Sequence, residues 1–169
     1  MKFEYIFTIL ALLLISCNDN HEEHSISFNN WANRTADVNK ADSLSYGKTY
    51  LSVYSQIYSL SEHKTQGLTA MISMRNTSET DTIFLLRAEY FDTQGVSVKS
   101  YFDAPVYLLP METVEIVIEE KDNSGGTGSD FIFEWQIPKN CPEPFFEGVM
   151  SSVLSQQGLS FTTQGIRVE

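Results

Sequence analysis

Histidine is scarce in this chain of 169 residues, and its scarcity excludes several kinds of catalytic site. The three histidines are His21, His24 and His63, two of them in a polar N-terminal segment and one in a predicted turn. A Ser-His-Asp triad or a Cys-His pair needs a histidine base held in a protected site. A histidine-based zinc centre needs ligands that converge on one point. We therefore predict that the protein is not an enzyme.

Basic residues are also few, with 11 Lys and Arg against 22 Asp and Glu, and the formal net charge is −11. A charge of that sign repels nucleic acids and anionic lipid surfaces. It suits a soluble surface domain, or one that attracts cations. We expect no nucleic-acid partner.

The chain begins with an apolar run, Ile6 to Ile15, that is too short to span a bilayer. Such a run after a lysine is typical of a secretory signal peptide. The residues that follow it, Ser16 and Cys17, resemble the end of a bacterial lipobox, whose cysteine is acylated and becomes the new N-terminus. We predict a lipoprotein signal peptide over residues 1–16 and a lipid anchor at Cys17, with two or three acyl chains, palmitate among them, holding the protein to a membrane. An ordinary signal peptide with a coincidental cysteine is the alternative.

Cysteine occurs only twice, so a lipidated Cys17 leaves Cys141 without a partner for a disulfide bond. The domain would then fold without a cross-link, although disulfides are common in exported proteins. Cys141 lies between Asn140 and Pro142, with Lys139 as its basic neighbour. We interpret it as a small buried residue and not as a nucleophile.

Residues 17–46 follow as a polar segment that we interpret as the lipidated cysteine and a flexible tether. Asp19, Glu22 and Glu23 stand just after the cysteine, similar to an acidic export signal that sends some Gram-negative lipoproteins to the outer membrane. A merely hydrophilic tether explains these residues equally well. We expect a cell-envelope location, with the outer membrane favoured and the choice between its periplasmic and surface faces open.

From residue 47 to residue 169 the apolar residues alternate with period two, which is typical of β-strands. One predicted inner face carries Leu68, Ala70, Ile72 and Met74, a second carries Val114, Ile116 and Ile118, and a third carries Phe131, Phe133 and Trp135. Turn signals separate about eight short strands. The pattern predicts a single all-β domain, an antiparallel β-sandwich of immunoglobulin-like or Greek-key topology.

A glycine-rich loop between two of these strands is the first candidate for a binding site. Its sequence GGTGSDFIF matches one copy of a calcium-binding repeat that works in tandem, so a single copy supplies half of each site. We considered a wide hairpin loop with positive-φ glycines, a calcium site, and a contact loop for a partner. Calcium is the single cofactor considered, with Asp122 and Asp130 as its candidate ligands. The whole candidate loop comprises Asp122, Ser124, Gly125, Gly126, Gly128 and Asp130.

The stretch YLSVYSQIY is the second candidate, because alternation puts Tyr50, Tyr54 and Tyr58 on one face of a continuous strand. If the aliphatic face is the core, the three tyrosines form an outer platform suited to sugars or apolar peptide groups. Cover by a second sheet or by the tether is the alternative.

Four blocks of the sequence are similar to signature blocks of a bacterial lipoprotein family catalogued as domain of unknown function 3124. The blocks are Tyr50 to Tyr58, Ile72 to Thr77, Tyr90 to Gly95, and Glu119 to Gly128 with Phe131 and Glu134-Trp135. The resemblance implies that the glycine-rich loop belongs to the domain as a unit, and it implies no reaction or ligand.

Taken together, these features predict a lipid-anchored, non-enzymatic binding or interaction module of the cell envelope, whose partner is an envelope protein or a glycan. A calcium- or carbohydrate-binding accessory domain is the alternative, and an unrecognised hydrolase is the third hypothesis.

Overall fold

The structure, a computed structural model, describes residues 31–38, 43–154 and 157–169. The predicted signal peptide and Cys17 lie outside the described residues. Within them the chain is all-β, with one short 3-10 helix, Trp31–Arg34, and twelve strands. The strands are β1 Leu44–Val53, β2 Gln56–Ser59, β3 Ser61–Gly67, β4 Thr69–Arg75, β5 Ile83–Phe91, β6 Ser97–Ser100, β7 Val106–Leu108, β8 Thr113–Ile118, β9 Ser129–Pro138, β10 Phe145–Leu154, β11 Gln157–Gln164 and β12 Ile166–Arg167.

Two antiparallel sheets form the body of the domain. The first has the order β12-β1-β9-β5-β6, with β7 also paired to β5, and the second has the order β11-β10-β4-β8. Strands β2 and β3 form a separate hairpin. The inner faces of the two sheets share one hydrophobic core, so the predicted antiparallel β-sandwich is confirmed. In the part of the chain that the structure describes, no helix has the length and apolar character that crossing a membrane requires.

Side-chain alternation explains which face of each strand is buried. All three predicted inner faces are confirmed, because every one of their ten residues is at most 3% exposed. Burying one side chain of leucine or phenylalanine size contributes about 1.5–3 kcal/mol. The sheets meet through aromatic rings, and Phe133 of β9 stacks on Phe146 of β10 with 4.3 Å between centroids. Cys141 is buried at the margin of this core, as predicted.

Packed structure among the described residues begins before residue 47, the predicted start of the β-sandwich domain. Strand β1 begins at Leu44, inside the segment expected to be tether, and Trp31 already packs on the sandwich, with 5.2 Å between its ring and that of Phe102. The backbone after Trp31 pairs with the edge of β7, since Thr35 bridges Val106. Main-chain pairing and one partly buried ring thus fix residues that polar composition alone marks as linker.

One lateral edge of the sandwich is closed by the chain itself. After β11 the chain passes from the second sheet to the first at Gly165, whose N–H donates to the carbonyl oxygen of Phe146 at 2.9 Å. The Thr163 hydroxyl donates to the carbonyl oxygen of Ser52 at 2.7 Å. Gly165 is required here, because a Cβ atom would lie 2.7 Å from Cγ2 of Thr49. The opposite edge, between β6 and β8, has no such crossing strand among the described residues.

Candidate binding cleft

A cleft of about 420 Å³ opens at that second edge, between β6 of the first sheet and β8 of the second. Val98 and Lys99 line it from β6, and Glu115 to Ile118 line it from β8, followed by Glu119 just after the strand. Strand geometry positions both walls rigidly, because each strand is paired along its other side. Ligand sites in sandwiches and barrels are commonly concave regions of this kind.

The residues of the β8 wall show which part of the strand borders the cleft. Glu115, Val117 and Glu119 belong to the outer side, whereas Ile116 and Ile118 point into the core and are 3% and 2% exposed. Successive side chains of a strand point to opposite faces. A cavity that touches five consecutive residues therefore borders the edge of the strand, where the backbone lies, and not one of its faces.

Two tyrosines form the inner wall of the cleft. Tyr90 is 1% exposed and its hydroxyl donates to Oγ of Ser129 at 3.2 Å, while Tyr101 leans on Phe131 with 5.7 Å between centroids. Burial raises the pKa of both phenols above the ordinary value of 10, so both are neutral at physiological pH. Lys99 covers the outer ring, with Nζ 4.7 Å from the centroid of Tyr101.

Trp31 completes the aromatic lining from the 3-10 helix. The helix is tied to the turn before β8 by an ion pair in which Arg34 Nη2 donates to Glu112 Oε1 at 2.6 Å. The carboxylate of Glu112 also accepts the N–H of Leu109 at 2.8 Å. The hydrogen bond from Arg34 is the main cause that lowers the pKa of Glu112 below its ordinary value.

The charge of the cleft is predominantly negative. Glu115, Glu119 and Asp122 line it, and among the described residues of its lining Lys99 is the single basic one. Asp122 is fixed by an Asx turn in which its Oδ1 accepts the N–H of Ser124 at 3.0 Å. Acidic side chains at a partly desolvated edge favour a ligand that carries positive charge.

The glycine-rich loop does not connect a hairpin, so the hairpin interpretation of the loop is wrong. Strand β8 before the loop lies in the second sheet, whereas β9 after it lies in the first, so the loop crosses between sheets. Of the three glycines, Gly126 alone has positive φ, at 73°. Sequence spacing could not reveal the crossing, because both a hairpin and a crossover begin with a turn-forming segment after an alternating strand.

Close packing accounts for the loop's glycines. A Cβ atom on Gly125 would lie 1.7 Å from the hydroxyl oxygen of Tyr90, so only glycine fits there. The carbonyl oxygen of Gly125 accepts bonds from the N–H and the hydroxyl of Thr93, both at 3.0 Å. Ser55 donates to the carbonyl oxygen of Gly126 at 3.0 Å, and the N–H of Gly128 donates to Thr93 Oγ1 at 3.0 Å. The contacts with Thr93 join the loop to the β5–β6 turn, and the contact with Ser55 joins it to the segment between β1 and β2.

The two candidate calcium ligands belong to different surfaces. Asp122 lines the cleft, whereas Asp130 lies in β9 on the outer side of the first sheet, between Ser52 and Phe91. Burial raises the pKa of Asp130. Within residues 31–38, 43–154 and 157–169, no group of three or more His, Cys, Asp or Glu side chains could hold a metal ion.

The three predicted platform tyrosines are also divided between elements. Strand β1 ends at Val53, and the chain resumes in β2, which belongs to the separate hairpin. Tyr50 lies in β1, Tyr54 packs edge-on against Phe161 with 5.8 Å between centroids, and Tyr58 lies in β2 and is 61% exposed. The stretch is therefore not one continuous strand, because the chain leaves the first sheet after Val53.

Sequence reasoning did not identify Trp31, Lys99 or Tyr101, which the structure brings together with Asp122. Trp31 stands in a stretch whose polar composition indicated a tether, and Lys99 belongs to a short exposed strand with weak alternation. An aromatic residue inside a polar segment was the one available signal.

Comparison with known families gives a match over residues 46–168 to the family described as protein of unknown function DUF3124. The chain belongs to the DUF3124 family. The matched residues include both walls of the cleft and the glycine-rich loop, whereas Trp31 precedes them. The family resemblance of the four sequence blocks is thus confirmed.

No curated protein matches the chain. Among solved structures, the crystal structure of Thermotoga maritima 1070 is similar over 71% of this chain and 92% of its own, with 13% identity and a TM-score of 0.46. The DUF3124 match carries the family assignment by itself.

Proposed function

We propose that this DUF3124 protein is a non-enzymatic binding module of the bacterial cell envelope, and that its ligand occupies the cleft between β6 and β8. The observation that carries the proposal is the combination, at one open edge, of aromatic walls with polar groups that make no hydrogen bond or ion pair among the described residues. Rigid strands hold both, and such preorganisation lowers the entropic cost of binding.

Polar side chains of the cleft differ from those of the interior in their hydrogen bonding. In the part of the chain that the structure describes, the hydroxyl of Tyr101, the ammonium group of Lys99 and the carboxylate of Glu119 make no hydrogen bond or ion pair. The buried polar side chain of Asn76, by contrast, donates to three backbone carbonyl oxygens, those of Asp81, Leu108 and Leu109. Polar groups in the interior stabilise the fold, and those of the cleft are available to a ligand.

The side chains that could perform catalysis are poorly placed for it, which agrees with a binding role. His63, the one histidine among the described residues, has a side chain that is 85% exposed on β3. Cys141 is buried, and burial raises its pKa, which disfavours the nucleophilic thiolate. The proposal includes the lipid anchor at Cys17 and an outer-membrane location, for which the sequence of the first residues is the support.

The direct test screens the full-length protein against a glycan array and a peptide array, and compares two valine variants. Val117→Lys places a long charged side chain in the cleft, where Val117 is 44% exposed. Val153→Lys makes the same change at an exposed position of β10 outside the cleft lining. We expect the wild-type protein and Val153→Lys to bind the same ligand, and Val117→Lys to lose it.

The proposal is overturned if the wild-type protein binds nothing on either array, or if Val117→Lys binds as the wild type does.

Calcium binding is tested separately by melting the protein with millimolar calcium and with excess chelator. A ligand at a hundred times its dissociation constant stabilises by about 2.7 kcal/mol, which raises the melting temperature by several degrees. Coincident melts would exclude calcium binding with a dissociation constant of about 10 µM or tighter.

A further inference from the structure

We infer that the free edge of β8 binds an extended, positively charged peptide segment of another protein by strand addition. This inference rests on the proposed function and names the class of ligand that the cleft accepts. In strand addition, a peptide pairs its backbone with an exposed sheet edge and places alternate side chains in neighbouring pockets.

The backbone of β8 is available for pairing. β8 pairs with β4 from Thr113 to Ile118 and has no second neighbour in the second sheet among residues 31–38, 43–154 and 157–169. In an antiparallel ladder only every second residue points its N–H and C=O toward a given neighbour. The remaining groups of β8 make no backbone hydrogen bond among the described residues, and the cleft runs beside them.

The two strands that border the cleft differ in their protection against pairing. β6 has four exposed residues, a register shift opposite Tyr90 and Phe91, and Lys99 at its centre, which are devices that discourage strand addition. β8 has the sequence TVEIVI, with neither lysine nor proline nor glycine, and it pairs with β4 without a register shift. An edge of this kind is receptive to a new strand.

Charge selects the sign of the incoming peptide. Glu115 and Glu119 stand on the outer side of the β8 edge, and Asp122 follows them at the end of the cleft. Lysine or arginine side chains of an added strand would lie beside these carboxylates, and Trp31 would offer its ring to a cationic or aliphatic side chain. Val98 and Val117, 38% and 44% exposed, suit β-branched side chains of the same strand.

Two alternative occupants of the β8 edge are negatively charged, and the acidic cleft repels them. A second copy of the chain, with net charge −11, would place its own Glu115 and Glu119 against those of the first in an antiparallel β8–β8 pair. Like charges directly opposite each other destabilise such a pair. The chain's own segment 18–30 includes Asp19, Glu22 and Glu23, which repel the cleft in the same way.

The experiment measures binding of labelled decapeptides to the full-length protein by fluorescence anisotropy at low salt. One peptide alternates Thr with Lys, and a second has Glu in place of every Lys. Two further versions of the cationic peptide carry N-methyl groups, either on every Thr or on every Lys. In an added strand, only alternate residues direct their N–H groups toward β8. We therefore expect one N-methyl set to weaken binding at least about tenfold and the other to leave it nearly unchanged.

A protein variant and its matched control complete the design. Glu119→Gln is expected to weaken binding of the cationic peptide about two- to fivefold. Glu62→Gln removes another exposed carboxylate, in β3 and outside the cleft, and should leave binding unchanged. Binding of the cationic peptide with one sensitive N-methyl set supports the inference.

The remaining outcomes overturn it in distinguishable ways. Equal sensitivity to both N-methyl sets would show charge attraction without strand pairing. Failure of the cationic peptide, while an array ligand still depends on Val117, would reject the peptide class and leave the proposed function standing. Self-association that Val117→Lys abolishes would assign the edge to a second copy. Absence of any ligand at the cleft would overturn the proposed function itself.

Discussion

The two lateral edges of the sandwich differ, because the chain closes one of them and leaves a cleft at the other. At one edge the chain crosses between sheets at Gly165, and hydrogen bonds from Gly165 and Thr163 join the two layers. At the other edge β6 and β8 face a cleft, whose ends are bounded by the 3-10 helix and by the segment that carries Asp122. The comparison shows that a sandwich can bury its core fully while it leaves one sheet edge available.

The difference has an energetic cause. At the closed edge Gly165 bonds to the backbone of Phe146, whose ring stacks on that of Phe133, and a gap there would expose large apolar rings to water. At the open edge, Tyr90 and Tyr101 present hydroxyl-bearing rings, and Lys99 covers one of them. An edge lined by amphipathic aromatic residues tolerates water better than one lined by phenylalanine.

The largest expected effect is a difference between the two edges in the free energy of unfolding. Phe146→Ala should lower the free energy of unfolding by about 3–5 kcal/mol, because it removes a buried ring and leaves a cavity. Val117→Ala, at the open edge, should change it by less than about 0.5 kcal/mol. Urea denaturation of the two variants measures both values, and similar losses would remove the energetic distinction between the edges.

The next effect concerns the loop that crosses between the sheets beside the open edge. Gly125→Ala should destabilise the fold by about 1–3 kcal/mol, because its methyl group would collide with the hydroxyl of Tyr90. Gly128→Ala is the matched control, since a Cβ there meets Thr93 at an ordinary 3.6 Å, and we expect a change within about 0.5 kcal/mol. Equal thermal stabilities would mean that the loop does not depend on this close packing.

A smaller effect is expected from the hydrogen bond that joins the sheets at the closed edge. Thr163→Val keeps the shape of the side chain and removes the donor to the Ser52 carbonyl oxygen, which should cost about 1–2 kcal/mol. Thr162→Val is a control on the same strand, because the Thr162 hydroxyl makes no hydrogen bond within the described residues. Chemical denaturation that finds the two variants equal would contradict this role of Thr163.

The smallest effect is a pH dependence at the end of the cleft. The folded-state pKa of Glu112 is lowered chiefly by the hydrogen bond from Arg34, so its contribution is complete above the unfolded-state pKa and is lost as the pH falls through the folded-state value. Glu112→Gln should therefore lower stability by about 0.5–1 kcal/mol at pH 7 and by much less at pH 3. Denaturation at both pH values checks this, and a difference that stays constant with pH would count against the ion pair.

Much of the fold was predictable because alternation is a local property. The buried faces of β4, β8 and β9 follow directly from their sequences, and so does the interior position of Cys141. The partners of these strands did not follow, because antiparallel pairing depends on where the chain turns. The tyrosine stretch shows this, since one break at Ser55 moves Tyr58 into another hairpin.

The candidate cleft was largely unpredictable for the same reason. Its lining combines Trp31, Lys99 and Glu119, which are far apart in the sequence and meet because β6 and β8 end at the same side of the sandwich. Of the residues proposed from the glycine-rich loop, Asp122 reaches the cleft, while Gly125 and Gly128 bind the loop to Thr93.

The sequence by itself determined the all-β class, the inner faces, the acidic charge and the DUF3124 family, since each depends on residue type, alternation or a matched local block. The tertiary structure alone decided which edge is closed, that the glycine-rich loop crosses between sheets, and that one edge of β8 has no neighbouring strand among the described residues, beside an acidic, aromatic cleft. The physical reason is that an unpaired edge is defined by the strand that is absent beside it, and no local pattern records that absence.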